Sequence, residues 1–436
     1  MKRIAFLVCV ACSANLAHAE DLLSVYQDAR VSDTKYASAR LQRQAGREKL
    51  PQGRAGLLPT LTLGTSSTYN NLDVNLPTDR QYRYNANSYS LQLTQPLFRM
   101  QNWIAYEQGQ LSAELAEVQY TAAEMDLIVR VTQAYFDLLN AQDVLNTVAQ
   151  LRTAANEQLQ LSKKSFEVGT VTVTDVNDAQ SRFDIASAQE IAAQNDVNVK
   201  REALRVLTGK EPPALAGLRQ GASLALPQPV DVLEWAKAAE TGNADVMAQQ
   251  INSEIASREV ARSRAAHLPT VDLVGTVGRT HVYGSTSSQS ESQYRNWQIG
   301  VQASLPIFQG GSVQSRVRES VALADKAKSD LETARRTAAQ TARQTFLGVT
   351  SGVAQVKGYE AAVKSSTSAL ESNKLGYQVG VKINKDVLDA QSQLATTQQQ
   401  LAKARYDTIM SQIKLKQAVG TLSLKDLEEI NALLDK

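Results

Sequence analysis

Cysteine is nearly missing from this 436-residue chain, and both copies, Cys9 and Cys12, lie within the first twelve positions. Histidine occurs three times and aromatics make up only 6%. After residue 19 no stretch of about 18 apolar residues occurs, so no transmembrane helix is available. That leaves open a membrane β-barrel, whose strands give a much weaker signal. Charge of one sign is also lacking: 46 Lys+Arg face 44 Asp+Glu, with no long basic run, which argues against a nucleic-acid binder. The chain is neither Pro/Gly-rich nor poor in aliphatics, which argues against bulk disorder. Scarce aromatics beside frequent Ala, Gln, Ser and Leu point to long helices with small side chains.

The N-terminus reads as an export signal. Lys2 and Arg3 precede an apolar run over 4–11, and Ala17-His18-Ala19 fits small-x-small cleavage, giving a mature chain from Glu20. The competing reading is the first helix of a soluble domain, but the three signal parts arrive in order. Cleavage removes both cysteines, and with them disulfides and thiolate metal sites. His267 and His281 remain, and the charge becomes formally neutral. A lipoprotein signal acylated at Cys12 is a rival. Cys9-Val10-Ala11 lacks the Leu that a lipobox carries in its first position.

The rest of the chain is a twofold repeat with a period of about 210 residues. Arg54-Ala55-Gly56-Leu57-Leu58-Pro59-Thr60 aligns with Arg264-Ala265-Ala266-His267-Leu268-Pro269-Thr270, and Pro96-Leu97-Phe98 with Pro306-Ile307-Phe308. Phe166-Glu167-Val168-Gly169 returns as Tyr377-Gln378-Val379-Gly380, Asp178-Ala179-Gln180-Ser181 as Asp389-Ala390-Gln391-Ser392, and Gly209 as Gly420. This spacing far exceeds a solenoid unit and indicates a duplicated domain-sized unit. The expected divisions are a signal at 1–19, a first repeat at 20–209, a connector at 210–229, a second repeat at 230–420 and a C-terminal segment at 421–436.

Each repeat reads helix, strand, strand, very long helix, turn, helix. Residues 22–54 have helical composition. Val271, Leu273, Gly275 and Val277 share one strand face, and Trp297, Ile299, Val301, Ala303 and Leu305 another. Equivalent strand pairs are expected at 58–71/88–97 and 268–283/296–305, separated by polar stretches over 70–87 and 284–296. A soluble hairpin on a packed core would also alternate. Tyr69, Tyr89, Tyr283 and Trp297 near the outer ends suit an interfacial girdle. Over 100–166, Leu111, Leu115, Val118, Ala122, Met125 and Val129 step by 4 and 3; Phe346, Val349, Val353 and Val356 do the same. That is a narrow coiled-coil seam. The long helices close at Gly169 and Gly380, plausible left-handed C′ residues, and second helices run to about Gly209 and Gly420. Segments 22–54 and 174–207, end to end, match 100–166 in length, so two short helices can lie beside one long one.

Two strands per repeat make four per chain, and four cannot close a membrane barrel. Two chains would give eight, a size that side chains fill, while three would give twelve with a lumen. A trimer is therefore the smallest conducting oligomer. No phosphate loop, GxSxG elbow or His pair at ligand spacing occurs, so neither an enzyme nor a cofactor or metal site is expected. His267 leads into a strand and His281 lies near a loop.

This organisation, with Val168-Gly169, Asp175-Val176, Val379-Gly380, Asp386-Val387-Leu388-Asp389-Ala390 and Leu401-Ala402-Lys403-Ala404-Arg405-Tyr406, resembles the TolC family of outer-membrane channel-tunnels. The resemblance spans essentially the whole mature chain. It implies a mixed α and β membrane protein: a homotrimer whose 12-strand outer-membrane β-barrel continues into a long periplasmic α-helical coiled-coil barrel. It further implies a periplasmic adaptor (membrane fusion) protein, an inner-membrane pump or ABC exporter that supplies the energy, contact with outer-membrane lipid, and export of drugs, small molecules or unfolded proteins. The weak lipobox is similar to the non-acylated branch that also serves type I secretion. Family motifs place a periplasmic gate at Thr174 and Asp175 facing Tyr377 and Lys382, with Lys in place of the usual Arg and hence without bidentate geometry. They place inward acidic rings at Asp386 and Asp389. From the residues alone, Asp175 and Asp386 also read as helix caps, and Asp178 and Asp389 as first-turn acids. A secreted coiled-coil structural or filament protein is the alternative function; it would not need the alternating strands.

Overall fold

The computed structural model describes residues 20–75, 79–219, 221, 224–284 and 291–435. The export signal expected over 1–19 lies outside the described residues. Three short helices, α1 (Leu22–Ser32), α2 (Thr34–Arg47) and α3 (Lys49–Ala55), lead into β1 (Thr60–Val74) and β2 (Arg80–Phe98). Helices α4 (Met100–Glu167) and α5 (Val173–Thr208) come next. The order then recurs as α6 (Val232–Gly242), α7 (Ala244–Arg264), a 3-10 turn (Ala265–His267), β3 (Thr270–Tyr283), β4 (Ser292–Ser304), α8 (Ser312–Gln378) and α9 (Asn384–Ala418), closed by α10 (Leu424–Asn431).

The segment 22–54 is three helices rather than one. Asp33 adopts an extended backbone between α1 and α2, where its carboxylate accepts the Tyr36 amide at 2.8 Å, a helix cap in mid-segment. Pro51 lacks an amide and its ring conflicts with the carbonyl of Arg47, so the chain breaks again at Glu48. The strands also run further than the alternation indicates. The β1–β2 ladder extends to Val74↔Arg80, so most of the polar stretch 70–87 is strand, and β4 starts at Ser292. There Leu72 and Tyr82 pair on the face that is polar lower in the sheet, and Asn71 and Arg83 on the other, so the alternation of the belt lapses while backbone pairing continues.

The chain forms two compact units, each drawn from both halves of the sequence. One comprises Ala39–Thr121 and Ala244–Arg336 and holds the sheet. All neighbours in the strand order β1-β2-β3-β4 are antiparallel, and the two outer strands have one partner each among the described residues. Partners directly opposite share a face. Rows such as Leu61–Leu93–Gly275–Ile299 and Leu63–Leu91–Val277–Trp297 make one face apolar. Thr62–Gln92–Thr276–Gln298 and Gly64–Ser90–Gly278–Asn296 make the other polar. Where β2 runs into α4, Arg99 donates to both carboxylate oxygens of Asp272, with Nε–Oδ1 at 2.7 Å.

The other unit contains the described residues of 20–38, Ala122–Asn243 and 337–435. Its core includes Tyr135, Phe136, Leu138, Ile409 and Ile413, all less than 2% exposed. Phe136 stacks on Tyr406, whose hydroxyl donates to Asp143 at 2.7 Å. Burial pushes the Asp143 carboxyl up, against the pull of the tyrosine and Arg405. Phe346, Val349 and Val353 form a buried seam with Leu415. On α4 only Met125 of the expected stripe is buried; Leu127, Ile128, Val131 and Tyr135 widen the covered face. The Tyr135 hydroxyl donates to the carbonyls of Ala216 at 2.7 Å and Glu20 at 3.1 Å, tying down the chain start and the Pro/Gly-rich connector.

Asp33 also receives both terminal nitrogens of Arg130, at 3.0 and 2.8 Å. The guanidinium, helped by the Tyr36 amide and opposed by burial, holds its carboxyl below the ordinary range. A depressed carboxyl stabilises the fold above its unfolded value, near 3.9, and that contribution disappears as pH falls through the folded value. Asp33→Asn should therefore cost about 2 kcal/mol at neutral pH. Thermal unfolding followed against pH should show the deficit shrinking below about pH 4. An equal deficit at all pH values would remove the ion pair as its source.

Candidate functional site

The two helical hairpins, α4–α5 and α8–α9, turn in the same way. Gly169 and Gly380 have φ of 76° and 75°. The amide after each reaches back five residues, Thr170 to the Ser165 carbonyl and Val381 to that of Gly376, both at 2.9 Å. This is the hydrogen-bond pattern of a helix ended by a left-handed residue, a conformation in which a Cβ is unfavourable. The next helices start on carboxylates. Asp175 takes the Thr172 amide at 2.9 Å and its hydroxyl at 2.8 Å, while its own amide donates to the Thr172 hydroxyl at 3.3 Å. That is a reciprocal capping box. Asp386 takes the Ile383 amide at 3.4 Å and lies 3.6 Å from Lys382.

Both turns line one open groove of about 890 Å³. Asp175, Tyr377 and Lys382 border it, as do Gln158, Asn384 and Gln391. The last three each carry a buried polar side-chain atom without a hydrogen bond in the single chain. Thr174 is exposed on the first turn of α5. Among the described residues no hydrogen bond or ion pair joins Thr174 or Asp175 to Tyr377 or Lys382. Near the turns the hairpins are instead linked by two other contacts. Arg182 on α5 donates to Asp389 on α9 at 2.5 Å, and the Asn384 amide donates to the Ser162 hydroxyl at 2.9 Å in a buried position. Asp389 is thus ion-paired within the chain, whereas Asp386 is occupied at its own helix start.

Arg182, Ser162 and Asn384 were not evident from the sequence. One signal existed for the first: the repeat aligns Asp178 with Asp389, and Arg182 lies one helical turn beyond Asp178. Nothing marked Ser162, a small polar residue in a long helix rich in them.

Two helical hairpins, together with a four-stranded antiparallel sheet that has one apolar face, define a class of outer-membrane channel folds. The family model described as outer membrane efflux protein matches residues 25–210 and 235–421. The chain belongs to this family. It is 36% identical to outer membrane protein TolC of Escherichia coli (strain K12), over 97% of this chain and 87% of that protein. It is 29% identical to the alkaline protease secretion protein AprF of Pseudomonas aeruginosa, over 95% and 88%. Among solved structures it superposes on the Campylobacter jejuni CmeC outer membrane channel with a TM-score of 0.80 at 19% identity, covering 95% of this chain and 90% of that one.

The buried Asn384–Ser162 bond and the exposed Arg182–Asp389 pair should differ in weight. Ser162→Ala strands a buried amide, a loss of about 1–3 kcal/mol. Arg182→Gln removes a pair that is nearly half exposed on both sides, a loss of at most about 1 kcal/mol. Hydrogen exchange over 376–391 should accelerate clearly in the first variant and little in the second. The reverse order would show that the ion pair, not the buried amide, holds the tip.

Proposed function

We propose that the protein is the outer-membrane exit duct of a tripartite efflux pump and type I secretion system, a passive conduit gated at its helical tip. The carrying observation is the sheet. It has one apolar face, one polar face and two strands with unpaired edges. In lipid such edges must be satisfied, and four strands cannot do so alone. Three copies, β4 of each beside β1 of the next, close a 12-strand barrel. The rows of Thr62, Gln92, Thr276 and Gln298 then line the lumen, and the leucine and tryptophan rows meet lipid. The paired helices continue as a periplasmic coiled-coil barrel, built from a duplicated unit with an export signal at 1–19. Relatives named for protease secretion and others named as outer membrane parts of efflux pumps support both kinds of cargo. The partners are a periplasmic adaptor and an inner-membrane pump or ABC exporter.

At the tip, Tyr377 and Lys382 lack bonds to Thr174 and Asp175 in one chain, so in this reading they meet those residues across copies. Each such contact contributes about 1 kcal/mol. Asp386 and Asp389 from three copies place carboxylates around a constriction. A wall of low dielectric strengthens their field beyond that of an open surface.

Planar-bilayer recordings test both elements. Tyr377→Phe with Lys382→Ala should raise single-channel conductance; an assembled channel with unchanged conductance rejects the gate. Asp386→Asn with Asp389→Asn also frees the Arg182 charge, and should shift the reversal potential away from cation selectivity and weaken block by a trivalent cation. Asn caps a helix as well as Asp does. A helix-start role alone therefore leaves selectivity and block unaltered, and that outcome would refute the acidic rings.

A further inference from the structure

Toward the hairpin loops the apolar face of the sheet turns polar, and its first polar row carries two cations. One step beyond Leu91–Val277–Trp297, toward the hairpin loops, stand Tyr89, Arg279 and Arg295, with Arg279 and Arg295 directly opposite each other on β3 and β4. Both arginines are exposed, and neither makes a hydrogen bond or ion pair among the described residues. Like charges directly opposite on a sheet repel. The nearby carboxylate toward the loops, Glu291, lies against the His281 ring rather than against either guanidinium. The polar face lies on the opposite side of the strands, so these guanidinium groups do not belong to the lumen-facing rows.

Their level on the strands is informative. Trp297, 78% exposed, and Tyr89, 59% exposed, lie one row below and in the same row, and Tyr283, 47% exposed, lies two rows above. Exposed aromatics at such positions mark the boundary between hydrocarbon and headgroups. The strands join α4 and α8 at their other ends, so this row stands at the end away from the helices. Two uncompensated guanidinium groups held side by side at headgroup depth match a phosphate, which arginine binds through paired N–H groups.

We infer that Arg279 and Arg295 form a binding site for the phosphate of an outer-leaflet lipid headgroup, one site per chain. The bound phosphate relieves the repulsion across β3 and β4, and Trp297 and Val277 below it contact the acyl chains. The site rests on the proposed outer-membrane location of the sheet.

Native mass spectrometry of the full-length protein in detergent tests it, with bisphosphorylated lipid A, its dephosphorylated form and inorganic phosphate as probes. The wild type should retain the bisphosphorylated lipid at least tenfold more tightly than the dephosphorylated one. Arg279→Gln with Arg295→Gln should abolish that preference, and Arg279→Lys with Arg295→Lys should keep part of it. Equal retention of both lipids by the wild type overturns the inference without reference to any variant. So does a glutamine variant that keeps the preference, or displacement of the lipid by millimolar inorganic phosphate. Bilayer conductance of the same preparation separates the two claims: a conducting channel without lipid preference rejects only this site, and a protein that never inserts rejects the outer-membrane location as well.

Discussion

A backbone amide or carbonyl facing hydrocarbon without a partner costs several kcal/mol. The whole design of the sheet obeys that constraint. Inside the chain, β2 and β3 satisfy both of their edges, and the registers from Thr60↔Thr94 to Thr270↔Ser304 leave the inner ladders continuous apart from one shift near Pro96. β1 and β4 are satisfied on one side only. Their side chains are meanwhile sorted for a membrane, with Leu61 and Leu63 on β1 and Trp297, Ile299 and Val301 on β4 lying exposed. A soluble protein avoids showing a long, apolar edge strand of this kind. In the proposed trimer that edge is the means of assembly.

The helical unit is held in a different way. Its interior is held by a few large side chains at one level, Tyr135, Phe136 and Tyr406 among them, with polar ends anchored to Asp143, Ala216 and Glu20. Toward the turns the buried residues include no aromatic: Leu159, Val387 and Leu388 lie beside the polar Gln158, Ser162, Asn384 and Gln391, with hydrogen bonds such as Asn384–Ser162. A tip held by a few replaceable polar contacts can open without unfolding the rest, since local opening follows the sparsest part of a core.

How much of this the sequence discloses depends on the range of the interaction. The strand faces were legible at Val271 to Val277 and Trp297 to Leu305, because alternation is local and lipid enforces it. Strand length was not, since over residues 70–74 the apolar side chains change face, with Leu72 and Val74 opposite in parity to Leu61 and Leu63. The long helices were legible from their apolar stripes at steps of 3 and 4 and, over 100–166, from the absence of Pro with Gly109 the one Gly. The breaks at Asp33 and Pro51 were not: the first acts through a bond to Arg130, 97 positions away, and the second is a single residue in an otherwise helical composition. At the tip the acids and glycines were visible as motifs. Their partners were not, because Arg182–Asp389 spans 207 residues and Asn384–Ser162 spans 222.

The central claim is that three chains close one barrel through β4 of one copy and β1 of the next. Cysteine pairs scanned along β1 and β4, in a chain with no native cysteine after Cys12, measure this directly. In oxidised outer membranes, pairs in the correct register should yield a covalent ladder ending at three chains, on a denaturing gel and sensitive to reductant. A ladder ending at two, or pairs that close only within one chain, would contradict the account.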